Sequence, residues 1–285
     1  MPPLPIQIAV PFFLAIAAYL AAGALSLTYP RNSNEGVLAG AKRTAAVGNV
    51  LLLGVFLFRW WRWGLVPLTG LGDSLNLFLI FCTGIILTVQ RDAAMKPLLV
   101  VYLPALALLA LTNAFVGPSG LGVTPRALNG VSLAIHVGLV FFAFALFFVA
   151  SLTSAVYAAK AQHLKRHRTT GFLHRVPSLE KLDAVLYRLI SIGYPAFVAT
   201  LLFGFGWAWA QRDLLGPYWF VSSKVVLAFA MAVFFASIFH VRQFGRLRGP
   251  KLAYLVFFGF AFLLITYLAF GVMRASDYSF WGHAA

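Results

Sequence analysis

The chain has 285 residues, of which 61% are hydrophobic and only 10% charged, whereas an ordinary soluble domain is roughly one quarter charged. Apolar runs of bilayer length recur from end to end, which excludes a soluble globular fold and predicts a single membrane domain over 1–285 with lipid as its solvent. The formal charge of +15 would suggest nucleic acid in a soluble protein; here the basic residues lie between apolar runs, where they set topology and meet anionic lipid headgroups, so no nucleic-acid partner is expected.

The expected fold class is all-α: a polytopic integral membrane bundle of about eight transmembrane helices. The first apolar run, from Pro5 to Leu27, is long enough to span and lacks the charged start of a secretory signal, so it reads as a retained helix. Further spans are predicted at 42–59, 74–90, 97–116, 131–158, 184–208, 219–241 and 252–273. Lys42 and Arg43 crowd one end of the second and Arg59 the other, so that span relies on long side chains snorkelling to the interface. Cys82, the lone cysteine, falls in the third span. It has no partner for an intrachain disulfide, and the Cys-x-x-Cys-His motif of a c-type cytochrome is absent. Pro104 and Pro195 lie inside spans, where neighbouring helices can satisfy the freed carbonyls.

Placing the N-terminus outside puts sixteen of the 22 basic residues on the inner side and leaves six outside: Arg59, Arg62, Arg126, Arg212, Lys224 and Arg274. This bias favours an even number of spans and places both termini on the outer face. All seven carboxylates fall in loops or at helix ends, which disfavours an ion-coupled transporter. The seven tryptophans (60, 61, 63, 207, 209, 219 and 281) all fall on or near the outer side. An interfacial belt normally populates both faces; one-sided placement suits an aromatic platform for a flat apolar ligand.

The six histidines divide by depth. His163, His167 and His174 belong to an inner basic run that reads as a solvated, lipid-facing segment. His136 lies near the outer end of the fifth span among apolar neighbours, either as an interhelical hydrogen-bonding group or as a ligand. His283 is in the outer tail, either a terminal residue without a role or a second outer ligand. His240 closes the seventh span on the inner side, where a cationic imidazole would complement the helix C-terminus.

From about Arg59 to Met273 a series of short motifs keeps one order and spacing. Arg59-Trp60, Gly64, Pro67-Leu68-Thr69 and Asp73-Ser74-Leu75 open it; Pro177-Ser178-Leu179-Glu180, Leu182-Asp183, Tyr187-Arg188, Gly193-Tyr194-Pro195 and Gly206-Trp207-Ala208 continue it; His240-Val241-Arg242, Arg248-Gly249, Gly259-Phe260 and Gly271-Val272 close it. In this the chain resembles the cytochrome c assembly membrane proteins, the CcsA, CcmC and HemX-like family. That family carries a tryptophan-rich outer loop that cradles heme. Gly216, Tyr218, Trp219 and Lys224 match its pattern, whereas Leu215, Val221, Ser222, Ser223 and Val225 depart from it, pointing to the shorter HemX-like branch.

The resemblance implies a heme-handling protein of the bacterial inner membrane, acting in cytochrome c maturation at the outer face. It implies transient, non-covalent heme ligated by His136 and His283, with Trp207, Tyr218 and Trp219 against the porphyrin and His240 as a further candidate. Implied partners are an apocytochrome c and other biogenesis subunits, with anionic lipid at the inner basic loops. Free-standing enzyme activity is not expected, although a place in a heme-attachment system is. A structural or regulatory subunit without heme is the alternative, and a small-solute transporter a more distant one.

Overall fold

A computed structural model describes residues 5–64, 66–68, 70–118, 131–167, 171–210, 212–215, 219–221, 223–244 and 249–277. Its long helices are α1 (Ile6–Asn32), α2 (Glu35–Trp63), α3 (Leu71–Val89), α4 (Leu99–Val116) and α5 (Val131–Lys165). After the short α6 (Phe172–Arg175) come α7 (Leu179–Ala210), the short α8 (Arg212–Leu215), α9 (Ser223–Gln243) and α10 (Pro250–Asp277). Each of the eight predicted spans is a helix. Seven are long and apolar enough to cross a membrane, and α10 carries a further apolar stretch, Pro250–Ile265. The protein is therefore an all-α, multi-pass membrane protein.

Several helices overrun the predicted spans because capping residues, rather than hydropathy, end them. α2 begins at Asn34, whose side chain accepts from the Gly36 amide at 2.9 Å, and stops at Gly64 in the left-handed conformation, φ 65°. The Lys181 amide donates to Ser178 Oγ at 3.3 Å, within the first turn of α7. Large apolar side chains face outward along the helices, among them Val50, Phe115, Leu202 and Phe258. In water such a surface would drive association; in hydrocarbon it faces its proper solvent.

Successive long helices run antiparallel. α1 and α4 meet where Gly23 lies under Ala107, and Tyr19 of α1 reaches Asn49 of α2 and Thr83 of α3, at 3.3 and 2.9 Å. At the start of α3, Gly72 lies so near the Gly117 carbonyl that a Cβ there would sit 1.7 Å from its oxygen. The nearby Asn113 donates to Asn76 at 2.6 Å. α5 is the joint between the two parts of the bundle. It packs on α3 and α4 on one side and on α7 and α10 on the other, with Tyr102 of α4 tied to its Thr153 at 2.7 Å. Hydrogen bonds of this kind hold helices together where lipid removes the hydrophobic drive between them.

Two ends of the bundle follow. One carries the C-termini of α2, α4 and α7 and the N-termini of α3 and α5. The other is held by Arg242 of α9 on Asp183 of α7 at 2.6 Å, Tyr187 on Gln243 at 2.9 Å, Gln162 on Tyr254 at 2.7 Å, and Lys160 donating to the Val176 carbonyl.

Candidate functional site

His136 lies on the second turn of α5, and its ring packs directly on α7. A Cβ at Gly204 would fall 2.4 Å from His136 Cε1 and 2.9 Å from Nδ1, so only glycine admits the ring there. His136 Nδ1 lies 3.1 Å from the Thr200 carbonyl oxygen. A carbonyl only accepts, so Nδ1 carries the proton and donates, leaving the lone pair on Nε2. Metal-binding histidines take this arrangement, with one ring nitrogen anchored to a backbone carbonyl and the other offered to the metal. Thr200 is itself buried, and its Oγ1 has no hydrogen-bond partner. The residue that anchors the imidazole thus keeps an unsatisfied polar atom of its own, in a setting where such groups are costly.

Below the histidine the α5–α7–α9 seam is closed by aromatic rings. Phe147 stacks on Phe235 with centroids 3.8 Å apart, and Phe197 packs against Phe144, Phe147 and Phe235 at 6.0, 6.1 and 6.3 Å. This floor is apolar and closely packed.

The tryptophans are sorted by the structure. Trp60, Trp61 and Trp63 occupy the last turn of α2, Trp207 and Trp209 the last turn of α7, and Trp219 a 3-10 turn (Trp219–Val221) before α9. All six sit at the His136 end, as the sequence predicts; Trp281 lies outside the described residues. They do not form one platform, because α2 packs with α1, α3 and α4 whereas α7 packs with α5 and α9.

Even on α7 the aromatics divide. Thr200, Gly204 and Trp207 follow one another at four- and three-residue steps and so share the face that receives His136. Phe205 and Trp209 occupy a different face, where Trp219 packs on Phe205 at 5.1 Å and Arg212 lies 5.3 Å over Trp209. Trp219 therefore packs on Phe205, on a face of α7 other than the one Thr200 and Gly204 present to His136.

His240 is at the opposite end. It sits beside the Asp183–Arg242 pair, about 25 Å along α7 from Thr200 at ~1.5 Å per residue. Its ring is exposed and packs on Phe244 at 4.9 Å, within the basic last turn of α9. Tyr218 and His283 lie outside the described residues. Among those described, no three His, Cys, Asp or Glu converge as a cage for a bare metal ion.

Thr200 and Gly204 were not anticipated from sequence. The one legible hint was the Gly-x-Gly of 204–206 near the end of a span. Also unforeseen was the burial of Arg59 and Asp73, read from sequence as a helix-end and loop charge. They form an ion pair between α2 and α3, with side chains 3% and 0% exposed and Arg59 5.4 Å over Trp63. The opening motif of the series is thus a buried lock between two helices at the end that holds His136.

Comparison with known proteins agrees with this architecture. The model of a family described as "Cytochrome C assembly protein" matches residues 65–276. A cytochrome c biogenesis protein CcsA of Chlamydomonas reinhardtii is 27% identical over 82% of this chain and 66% of its own length. A protein HemX of Brevibacillus brevis is 25% identical over 63% of the chain and 66% of its own length. A CcsA of Heterosigma akashiwo is 26% identical over 84% of each. The chain spans slightly under two thirds of the first two relatives.

Proposed function

Because the chain belongs to the cytochrome c assembly protein family, we propose that it is a heme-handling membrane protein of cytochrome c maturation, with His136 as the residue that grips the heme iron. The observation carrying this reading is the His136 ring seated on Gly204, with its Nδ1 on the Thr200 carbonyl and no partner on Nε2 among the described residues. Imidazole is a common axial ligand of heme iron, and an anchored Nδ1–H makes Nε2 the more basic donor. Trp207, on the same face and a turn further out, flanks the porphyrin edge. The phenylalanine floor keeps the apolar macrocycle at the membrane edge.

In this proposal His283 supplies the second axial ligand, while Tyr218 and Trp219 guard the entrance. His240 stands at the opposite end, in the last turn of α9. The His136 end faces outward and the basic end faces anionic lipid in a bacterial inner membrane. Bound heme would supply the group to be joined to an apocytochrome's cysteine pair, delivered together with other biogenesis subunits.

The packing of Trp219 on Phe205, away from the His136 face, supports a second reading: a structural or regulatory subunit of the same system that does not hold heme. Absorption spectra of detergent-purified wild type and His136→Ala, oxidised and reduced, separate the two. A Soret band in wild type, lost in His136→Ala, is expected. A wild type without a Soret band after hemin is added favours the second reading, and an unaltered band in the variant removes His136 from the site.

A further inference from the structure

We infer that the Thr200–Gly204 turn of α7 is a positioning device that decides which nitrogen of His136 is available and where it points. This rests on the reading that His136 is a ligand. It concerns two residues that do not touch the ligand and would act only through the imidazole.

The Thr200 main-chain oxygen, not its side chain, takes the Nδ1 proton at 3.1 Å. That contact selects one neutral tautomer and leaves the lone pair on Nε2. The contact forms only if the ring can lie flat on the helix four residues further on. There Gly204 has no Cβ, and a methyl group would meet Cε1 at 2.4 Å, Nδ1 at 2.9 Å and Nε2 at 3.3 Å. Any side chain at 204 therefore lifts the ring, breaks the Nδ1 contact and frees the tautomer. Two residues along, Gly206 has nothing within 4 Å of the same hypothetical atom and provides the control. Thr200 Oγ1 is buried and unpartnered, so its loss should leave the device intact.

The test uses the full chain in detergent with ring-15N histidine. The His136 signals are identified by their absence in His136→Gln. Wild type, Thr200→Val and Gly206→Ala are expected to show the Nδ1–H tautomer, and Gly204→Ala to lose it. Hemin titrations of the same proteins should show affinity lowered about 10- to 100-fold by Gly204→Ala, the usual range for loss of an outer-shell partner of a metal ligand. That loss should disappear when Gly204→Ala is made in a His136→Ala background, since the residue acts only through the ring.

An Nε2–H tautomer in wild type overturns the inference whether or not hemin binds. So does a Gly204→Ala penalty that persists without His136. If wild type shows the Nδ1–H tautomer but does not bind hemin, the ligand reading fails while the positioning of the ring stands. Should Gly204→Ala fail to fold, the wild-type tautomer and its persistence in Thr200→Val still decide the matter.

Discussion

Arg59 and Asp73 illustrate what a single pair of charges does in this environment. Both are almost completely withdrawn from solvent, at the junction of α2 and α3. Breaking a buried ion pair by removing one partner typically costs about 3–5 kcal/mol, whereas replacing both with apolar groups of similar volume is often neutral. Arg59→Ala and Asp73→Ala should therefore each lower the thermal unfolding midpoint in detergent markedly. The double variant Arg59→Met with Asp73→Leu should recover most of the loss. Equal damage from the double variant would show that the pair does more than neutralise itself.

His136 presents the opposite case, an ionisable side chain anchored by a neutral carbonyl instead of a counter-charge. Among the described residues, no cation or carboxylate bonds its second nitrogen. The depth of His136 and its apolar neighbours were legible in the sequence. Its dependence on Thr200 and Gly204, 64 and 68 positions away, was not, since a backbone carbonyl leaves no mark on residue type and an isolated glycine in a span has many uses.

At the scale of helices, the close contacts are made by glycine. Gly23 brings α1 to α4, Gly193 brings α7 onto Phe147 of α5, Gly259 brings α10 under Phe234 of α9, and Gly72 brings α3 to the end of α4. Small residues at interfaces let backbones approach, so dispersion and interhelical hydrogen bonds can act where the hydrophobic effect does not. Gly72 is the tightest, because a Cβ would overlap the Gly117 backbone oxygen, which cannot rotate away.

Gly72→Ala should therefore destabilise the protein by roughly 1–3 kcal/mol, as overpacking does, and loosen the nearby Asn76–Asn113 contact. Gly84→Ala on the same helix meets nothing within 4 Å and should be neutral or mildly stabilising. Comparing the unfolding midpoints of the two variants checks the assignment; equal midpoints would mean that α3 and α4 do not rely on this contact. Helix existence was legible from hydropathy because a bilayer-length apolar run has no other stable conformation in lipid. Helix ends were less so: α2, α5 and α7 project beyond their apolar cores, with Asn34, Ser178 and Gly64 as end signals that a hydropathy window averages away.

For the whole molecule, the basic bias and the one-ended tryptophans describe the same asymmetry. The structure gathers the described tryptophans at the His136 end, while Lys160, Arg175, Lys181, Arg188 and Arg242 lie on the segments that form the other. If that asymmetry follows the positive-inside rule, Arg212 faces outward and Lys165 inward. With the buried Cys82 replaced by alanine, a membrane-impermeant maleimide added to spheroplasts should label Arg212→Cys and spare Lys165→Cys. The reverse pattern would turn the protein over and place His136 on the cytoplasmic side.

What the sequence by itself determined is what the bilayer imposes locally: helices at the eight apolar runs, carboxylates at their ends, and aromatic and basic residues parted to opposite faces. Each of these follows from the free energy of one segment in lipid, which depends on nearby residues alone. Only the tertiary structure decided which distant residues meet. It set His136 on Thr200 and Gly204, locked Arg59 to Asp73, packed Trp219 on Phe205, and sent His240 to the far end. The physical reason is that helix packing is chosen by close approach and hydrogen bonding between faces far apart in the chain, and a face is shared only once the helices have been brought together.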